Sequence, residues 1–192
     1  RDLNNERYLK LQKDNYLKNK DTANFNKKYI EAIIEKLDKN KNYFMQNEIN
    51  NYIEQSKYNN GYDFDIELGY ELINLYFKKL IQFSKFQIKL IENNEFDFSK
   101  DEYLDIFYED NEWVKTYDEL KELWRLETKN DLLIASTSDS SSSKPKDDLI
   151  KRYENRIRRI HQQKEEDIFS LAMNTLSNQF DPHSSYLSPR SA

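Results

Sequence analysis

The sequence has no cysteine, two glycines, three prolines and two histidines among its 192 residues. Without cysteine, the chain has no disulfide and no thiolate nucleophile or metal ligand. Tight hairpin turns and phosphate-binding loops need glycine. The chain has only Gly61 and Gly69, and this scarcity argues against a strand-rich fold and against a phosphate-cradling loop. Structural zinc sites usually take four Cys or His ligands, which two histidines do not supply. We therefore expect no metal and no cofactor.

The charged residues are numerous but mixed in sign. The chain has 35 acidic and 30 basic residues, a net charge of −5, and the two signs are interleaved along it. Such a surface has no extended positive field, which argues against nucleic acid and anionic lipid as partners. Charges also interrupt the most apolar stretch at short intervals, whereas a membrane-spanning helix needs about 20 mostly apolar residues in a row. We expect no transmembrane segment.

The longest apolar pattern predicts one helix over residues 66–91 as the centre of the fold. At the helical repeat its polar residues fall on one narrow strip, and nearly every other position is large and apolar. This pattern is typical of a helix surrounded by other helices. Asp63 or Asp65 is expected to cap its start, and Asn93-Asn94 to end it. The polar strip consists of Glu67, Glu71, Asn74, Lys78, Gln82, Lys85 and Lys89.

Apolar spacing predicts further helices on both sides of this one. Another helix should begin after Thr116, because Thr116 and Glu119 have the spacing of a capping box. Residues 96–114 are aromatic and acidic without a clear period, so they are expected to be irregular. The predicted fold class is all-α: an irregular multi-helix bundle around one long central helix, with no significant β-sheet. The helices predicted from apolar spacing cover residues 25–37, 46–55, 147–162 and 165–178.

The domain organisation follows from these patterns. Residues 1–24 are predicted to form an N-terminal arm or docking helix, 25–180 a helical domain, and 181–192 a connector. Six serines fall within residues 136–146, and this composition is typical of a flexible surface loop.

The helix near residues 149–160 has a basic ridge beside its apolar face. Arg152, Arg156 and Arg159 form the ridge, and Lys151 and Arg158 lie further round the helix. One interpretation is a docking site for an acidic partner or for nucleic acid. The other is a solvated flank whose cations pair with nearby Glu and Asp side chains. Because the chain is not basic overall, nucleic acid is the less favoured partner.

Two clusters have the residue types of chemical sites. His161, Glu165 and Glu166 have one helical turn of spacing and could in principle hold a metal, but two histidines are too few for a structural zinc site. The favoured interpretation is that His161 closes a helix C-terminus, where a partly cationic ring suits the helix dipole. The second cluster is Asp181, His183, Ser184 and Ser185, the residue types of a serine triad. A triad needs groups brought together by a fold and an oxyanion hole, so a structural turn closed by these side chains is the favoured interpretation.

The last 40 residues resemble a known family. The resemblance rests on the runs 148–153, 156–159 and 166–174, and above all on residues 180–190, Phe-Asp-Pro-His-Ser-Ser-Tyr-Leu-Ser-Pro-Arg. Residues 37–44, Trp113 and residues 122–125 are similar to the family more weakly. The family is the carboxy-terminal processing proteases, in the tail-specific protease branch.

The resemblance implies a role for the C-terminal residues. In that family the element resembling this run ends an N-terminal helical domain and leads into a PDZ domain, which a Ser–Lys protease core follows. We therefore interpret the run as a structural connector and expect no catalytic residue in the chain, although the parent protein resembles a serine-type endopeptidase. The connector signature comprises Asp181, Pro182, His183, Ser185, Tyr186, Leu187 and Pro189.

The resemblance also implies partners and a location. The partners are the PDZ and protease domains of the same parent chain, unfolded substrates with apolar C-termini and an adaptor protein. The location is the bacterial periplasm or cell envelope, although no signal peptide is visible in the sequence. The expected role is a scaffold and a wall that binds substrate or adaptor. The alternative is a free-standing helical adaptor without a protease in cis.

Overall fold

A computed structural model describes residues 25–58, 65–93, 96–105, 112–137 and 144–187. These residues contain six α-helices and no strand, which confirms the predicted all-α class. None of the helices in the described ranges combines the length and the apolar character that crossing a membrane requires. The helices are α1 (Phe25–Asp38), α2 (Gln46–Tyr58), α3 (Ile66–Glu92), α4 (Tyr117–Thr137), α5 (Pro145–Gln162) and α6 (Glu165–Phe180).

Helix α3 is the long helix that the apolar pattern predicts, and it ends one residue later than expected. Asp65 caps its first turn, because its carboxylate accepts the amide of Leu68 at 3.0 Å. The predicted polar strip is confirmed, since six of its seven residues are exposed and Asn74 is half-buried. The opposite side is apolar and buried, as at Leu72 and Ile73.

The boundaries of the other helices differ slightly from those predicted, for local reasons. Helix α5 begins two residues early because Pro145 occupies its first turn, where proline needs no amide partner. Helix α2 extends three residues beyond the apolar pattern, and Ser56 in this extension bonds the carbonyl of Ile53. The predicted capping box at Thr116 and Glu119 is confirmed, with reciprocal amide–side-chain bonds of 3.2 Å. The N-terminal arm lies outside the described residues.

Contacts divide the chain into two compact units. The described residues of the first are 25–37, 48–58, 65–74 and 164–187, which belong to α1, α2, the start of α3, and α6 with the residues next to it. Tyr29 of α1 is buried against Gly69 of α3, where a Cβ atom would lie 2.6 Å and 2.7 Å from two ring carbons. Glycine is therefore required by the close approach of the ring. The rings of Phe25 and Phe180 also meet in this unit, 4.8 Å apart.

The described residues of the second unit are 38–47, 75–93, 96–105, 112–137 and 144–163. Two apolar clusters lie among these described residues, and α4 and α5 pack against each other. One cluster joins Phe83 to Leu120 and Trp124. The other consists of Ile91, Leu132, Leu149 and Tyr153.

Candidate functional site

The start of the predicted connector is a tight turn after α6. The Asp181 carboxylate accepts the backbone amide of His183 at 3.0 Å and the Ser184 hydroxyl at 3.3 Å. The Asp181 carbonyl accepts the amide of Ser184 at 2.9 Å. The aspartate therefore bonds the backbone of His183, and its bonds close a turn. Pro182 and Ser185 are exposed in the same segment.

The next residues of the connector are fixed to α6 within the first unit. The backbone amide of Tyr186 donates to Asn174 Oδ1 at 2.8 Å. The Tyr186 ring meets the Phe169 ring edge to face, with centroids 5.7 Å apart. Leu187 follows with 66% of its surface exposed, and Pro189 lies outside the described residues. The described connector is therefore held at two points and presents an apolar side chain to solvent.

The arginines of the predicted docking ridge have different surroundings. Arg152 is exposed and pairs with Asp131 at 2.9 Å, and the same carboxylate accepts the Tyr153 hydroxyl at 2.6 Å. Arg159 is exposed, and no carboxylate of the described residues lies within ion-pair distance of it. The ridge thus contains one cation that is occupied by an acidic neighbour and one that is accessible.

Arg156, the third residue of the ridge, points toward the interior of the second unit. Its guanidinium donates to Gln87 Oε1 at 3.1 Å and to Ser84 Oγ at 3.5 Å. It also lies over the rings of Tyr153 and Phe83, 5.2 Å and 5.8 Å from their centroids. These contacts suit a cation that is partly removed from water.

A buried aspartate organises the loop between α1 and α2. Asp38 is 2% exposed, and its carboxylate accepts the amides of Asn42, Tyr43 and Phe44 at 2.7–3.2 Å. Trp113 Nε1 donates to the same carboxylate at 3.1 Å. Burial raises the pKa of Asp38, while these four donors favour the ionised form and oppose the rise.

The same loop is tied to α4 by Asn42 and two residues of that helix. Trp124, fully buried, donates from Nε1 to the Asn42 carbonyl at 2.7 Å. The Asn42 side-chain amide donates to the Glu127 carboxylate. Trp124 and Glu127 are one turn apart on α4, so both reach the same loop. The loop is therefore held by side chains that are distant in sequence.

The fold shifts the pKa of the Glu127 carboxyl group toward neutral pH. Burial raises its pKa to about 7, and the nearby Asp131 contributes to the rise. The Asn42 bond and the charge of Arg156 act in the opposite direction. The group therefore titrates near neutrality instead of near its ordinary 4.5.

Comparison with known proteins identifies the family. The family model described as "Tail specific protease N-terminal domain" matches residues 8–190.

This chain belongs to the tail-specific protease N-terminal domain family.

A tail-specific protease from Haemophilus influenzae is 29% identical over 188 residues, an alignment that covers 95% of this chain and 27% of the relative. The chain thus spans about a quarter of the length of that relative.

Membership in the tail-specific protease N-terminal domain family agrees with the resemblance found in the sequence.

Within the described residues, no group of three or more His, Cys, Asp or Glu side chains is arranged to hold a metal. His161 lies exposed in the last turn of α5, at the position expected from the helix dipole.

Sequence reasoning missed the polar contacts inside the second unit of this tail-specific protease domain. Gln87 lies four residues from both Phe83 and Ile91 on the apolar side of α3, which was a signal that a polar partner must meet it. Glu127 carried a similar signal, because it lies beside Trp124 at helical spacing. Neither signal identified Arg156 or Asn42 as the partner.

Proposed function

We propose that this domain is the non-catalytic N-terminal helical domain of a periplasmic tail-specific protease. In this role it serves as a scaffold for a PDZ domain and a Ser–Lys protease core, and as a wall that binds substrate tails or an adaptor. Family membership over residues 8–190 supports the assignment to a larger protease. The partner domains, the substrates with apolar C-termini and the periplasmic location come from the family resemblance.

The observation that carries the scaffold proposal is the anchored connector. The Asn174 bond and the Phe169 ring contact together restrain Tyr186 against α6. A connector restrained at two points has fewer conformations, and this restraint favours a defined position for whatever follows it in the protease. Leu187, exposed beside this anchor, supplies an apolar side chain for a contact with a neighbouring domain.

The binding part of the proposal rests on apolar side chains at the surface of the second unit. Phe98, Leu133 and Ile134 are 50%, 48% and 57% exposed. Lys129 lies 5.5 Å from the centroid of the Phe98 ring, and Leu133 follows Lys129 by one helical turn. Exposed apolar groups on a helix favour contact with an apolar segment, such as an unfolded substrate tail.

A binding assay tests the apolar surface. Fluorescence anisotropy of a labelled peptide with an apolar C-terminus should show saturable binding to the chain, and the same peptide with a charged C-terminus should bind more weakly. Leu133→Ser with Ile134→Ser should weaken binding about thirtyfold, because each change removes about 1 kcal/mol of apolar contact, about 2 kcal/mol together. Ser136→Ala with Thr137→Ala is the matched control at the same end of α4. Equal affinities for both double variants would contradict the assigned surface.

A cleavage assay tests the non-catalytic part. A protein substrate that carries the apolar tail should remain intact by mass spectrometry after incubation with the chain. Turnover that a serine-directed inhibitor abolishes would show a catalytic centre in the domain and overturn the proposal.

A further inference from the structure

Helix α5 concentrates the arginines of the chain. Four of the eight arginines lie within its 18 residues, although lysine outnumbers arginine 22 to eight overall. The helix contains six basic and three acidic residues, a net charge of +3, whereas the chain has a net charge of −5. The charge of α5 is therefore opposite in sign to that of the rest of the chain.

Three cations of α5 are exposed and have no acidic partner among the described residues. They are Lys151, Arg158 and Arg159, which we call the cationic face. Glu154 follows Lys151 by three residues and precedes Arg158 by four, the spacings at which helical ion pairs form. It makes no ion pair with either residue in the described structure. The interpretation of the ridge as a solvated flank with paired charges therefore fits Arg152. It does not fit Lys151, Arg158 and Arg159.

The other described arginines of the second unit have partners, unlike Arg158 and Arg159. Arg125 is paired with both Glu102 and Glu122, and Arg152 is paired with Asp131. Arg156 donates to the uncharged groups of two α3 side chains. Within the described ranges, Arg158 and Arg159 are therefore the arginines that have planar donor groups available for a carboxylate.

The spacing of the exposed polar residues matches a helical partner. Lys151, Asn155, Arg158 and Gln162 are all exposed and recur at intervals of four, three and four residues, so they form one stripe along α5. Arg159 lies beside this stripe. Lys151 and Arg158 are separated by about 10 Å along the axis, at about 1.5 Å per residue. One small anion does not span that distance, whereas a second helix laid along the stripe does.

We propose that the cationic face of α5 binds an acidic helical segment of a partner protein. Glutamates spaced three and four residues apart on the partner helix would face Lys151 and Arg158, with Arg159 at the edge. Leu149 and Tyr153 on the opposite side of α5 are buried, so α5 has no apolar face available for insertion into a membrane surface. The negative charge of the remaining chain disfavours nucleic acid. This proposal does not depend on the apolar surface or on the connector. The cationic face and the proposed function can therefore each fail without the other.

The test uses the whole chain and an alanine-based peptide of about 20 residues with glutamate at every third and fourth position. Fluorescence anisotropy should show binding that weakens as salt is added, because the contacts are exposed and screened. Lys151→Ala with Arg158→Ala and Arg159→Ala should weaken binding about tenfold. Lys78→Ala with Lys85→Ala and Lys89→Ala removes the same charge from the exposed strip of α3 and should change the affinity less than threefold. The matched triple variant separates a local site from the effect of net charge.

Three results would overturn the proposal. The first is no binding of the acidic peptide by the wild-type chain at low salt. The second is an equal loss in both triple variants, which would reflect net charge alone. The third is equal or tighter binding of a single-stranded oligonucleotide or of anionic vesicles, which would identify a different class of partner. Circular dichroism of each variant shows that the helices remain formed.

Discussion

Replacing Glu127 with glutamine should make the second unit more stable at pH 8 and leave its stability unchanged at pH 4. Burial raises the pKa of Glu127 to about 7, so the folded chain holds a proton there that the unfolded chain has released. The stabilisation linked to that proton is complete below about pH 4.5 and is lost as the pH rises through about 7. Glutamine is neutral throughout, and its carbonyl can accept the bond from Asn42.

The magnitude follows from the pKa difference. A rise from 4.5 to about 7 is worth about 3 kcal/mol, at about 1.4 kcal/mol for each pKa unit. Glu127→Gln should therefore raise the free energy of unfolding by up to about 3 kcal/mol at pH 8. Arg156 already favours the ionised form, so its charge is included in the shifted value.

The assay is urea unfolding followed by tryptophan fluorescence at a series of pH values. Trp113 and Trp124 are the two tryptophans of the chain, and both lie in the second unit, so the signal reports on the unit that contains Glu127. Glu154→Gln removes the same charge from the exposed side of α5 and should change stability by less than about 0.5 kcal/mol. Parallel stability curves for the wild type and Glu127→Gln between pH 4.5 and 8 would refute the reasoning, because they would show a carboxyl that is solvated in the folded state.

Three other changes test the remaining contacts. Asp38→Ala removes the acceptor of four N–H groups and should destabilise the second unit by about 3 kcal/mol or more in urea unfolding, and Asp38→Asn should recover part of the loss. Gly69→Ala should destabilise the first unit by about 1–3 kcal/mol, although alanine has the better helix propensity. The loss should be smaller in a Tyr29→Phe background, and thermal unfolding by circular dichroism measures both. Asn174→Ala should accelerate hydrogen exchange at the Tyr186 amide at least tenfold, and unchanged exchange would contradict the anchored connector.

Features of the fold that depend on near neighbours were predicted well from the sequence. The capping box at Thr116 involves residues three positions apart, and the cap at Asp65 does as well. The exposed strip of α3 follows from the helical repeat alone. The turn at Asp181 is also local, since its bonds reach two and three residues ahead. In each case the partner is dictated by helix or turn geometry, so the residue type and its spacing suffice.

Contacts between distant residues were not predicted, because no local rule selects the partner. Asn42 and Glu127 are 85 positions apart, and Arg156 and Gln87 are 69 positions apart. The sequence placed Arg156 on a ridge with Arg152, and helical geometry alone does not say that one side chain bonds Gln87 while the other pairs with Asp131. The choice depends on which helices pack together, and that is a property of the whole unit.

The two kinds of contact also differ in what they do for the domain. The turn at Asp181 forms from a short segment, so its bonds fix the direction of the connector without reference to the rest of the fold. The bonds of Asn42 and Glu127 exist only when the α1–α2 loop and α4 are both in place. A change in the ionisation of Glu127 therefore acts on the assembled second unit and not on any single helix. For this reason a raised pKa at Glu127 should appear as a pH dependence of cooperative unfolding, measured by tryptophan fluorescence, while the turn after α6 should be unaffected over the same pH range.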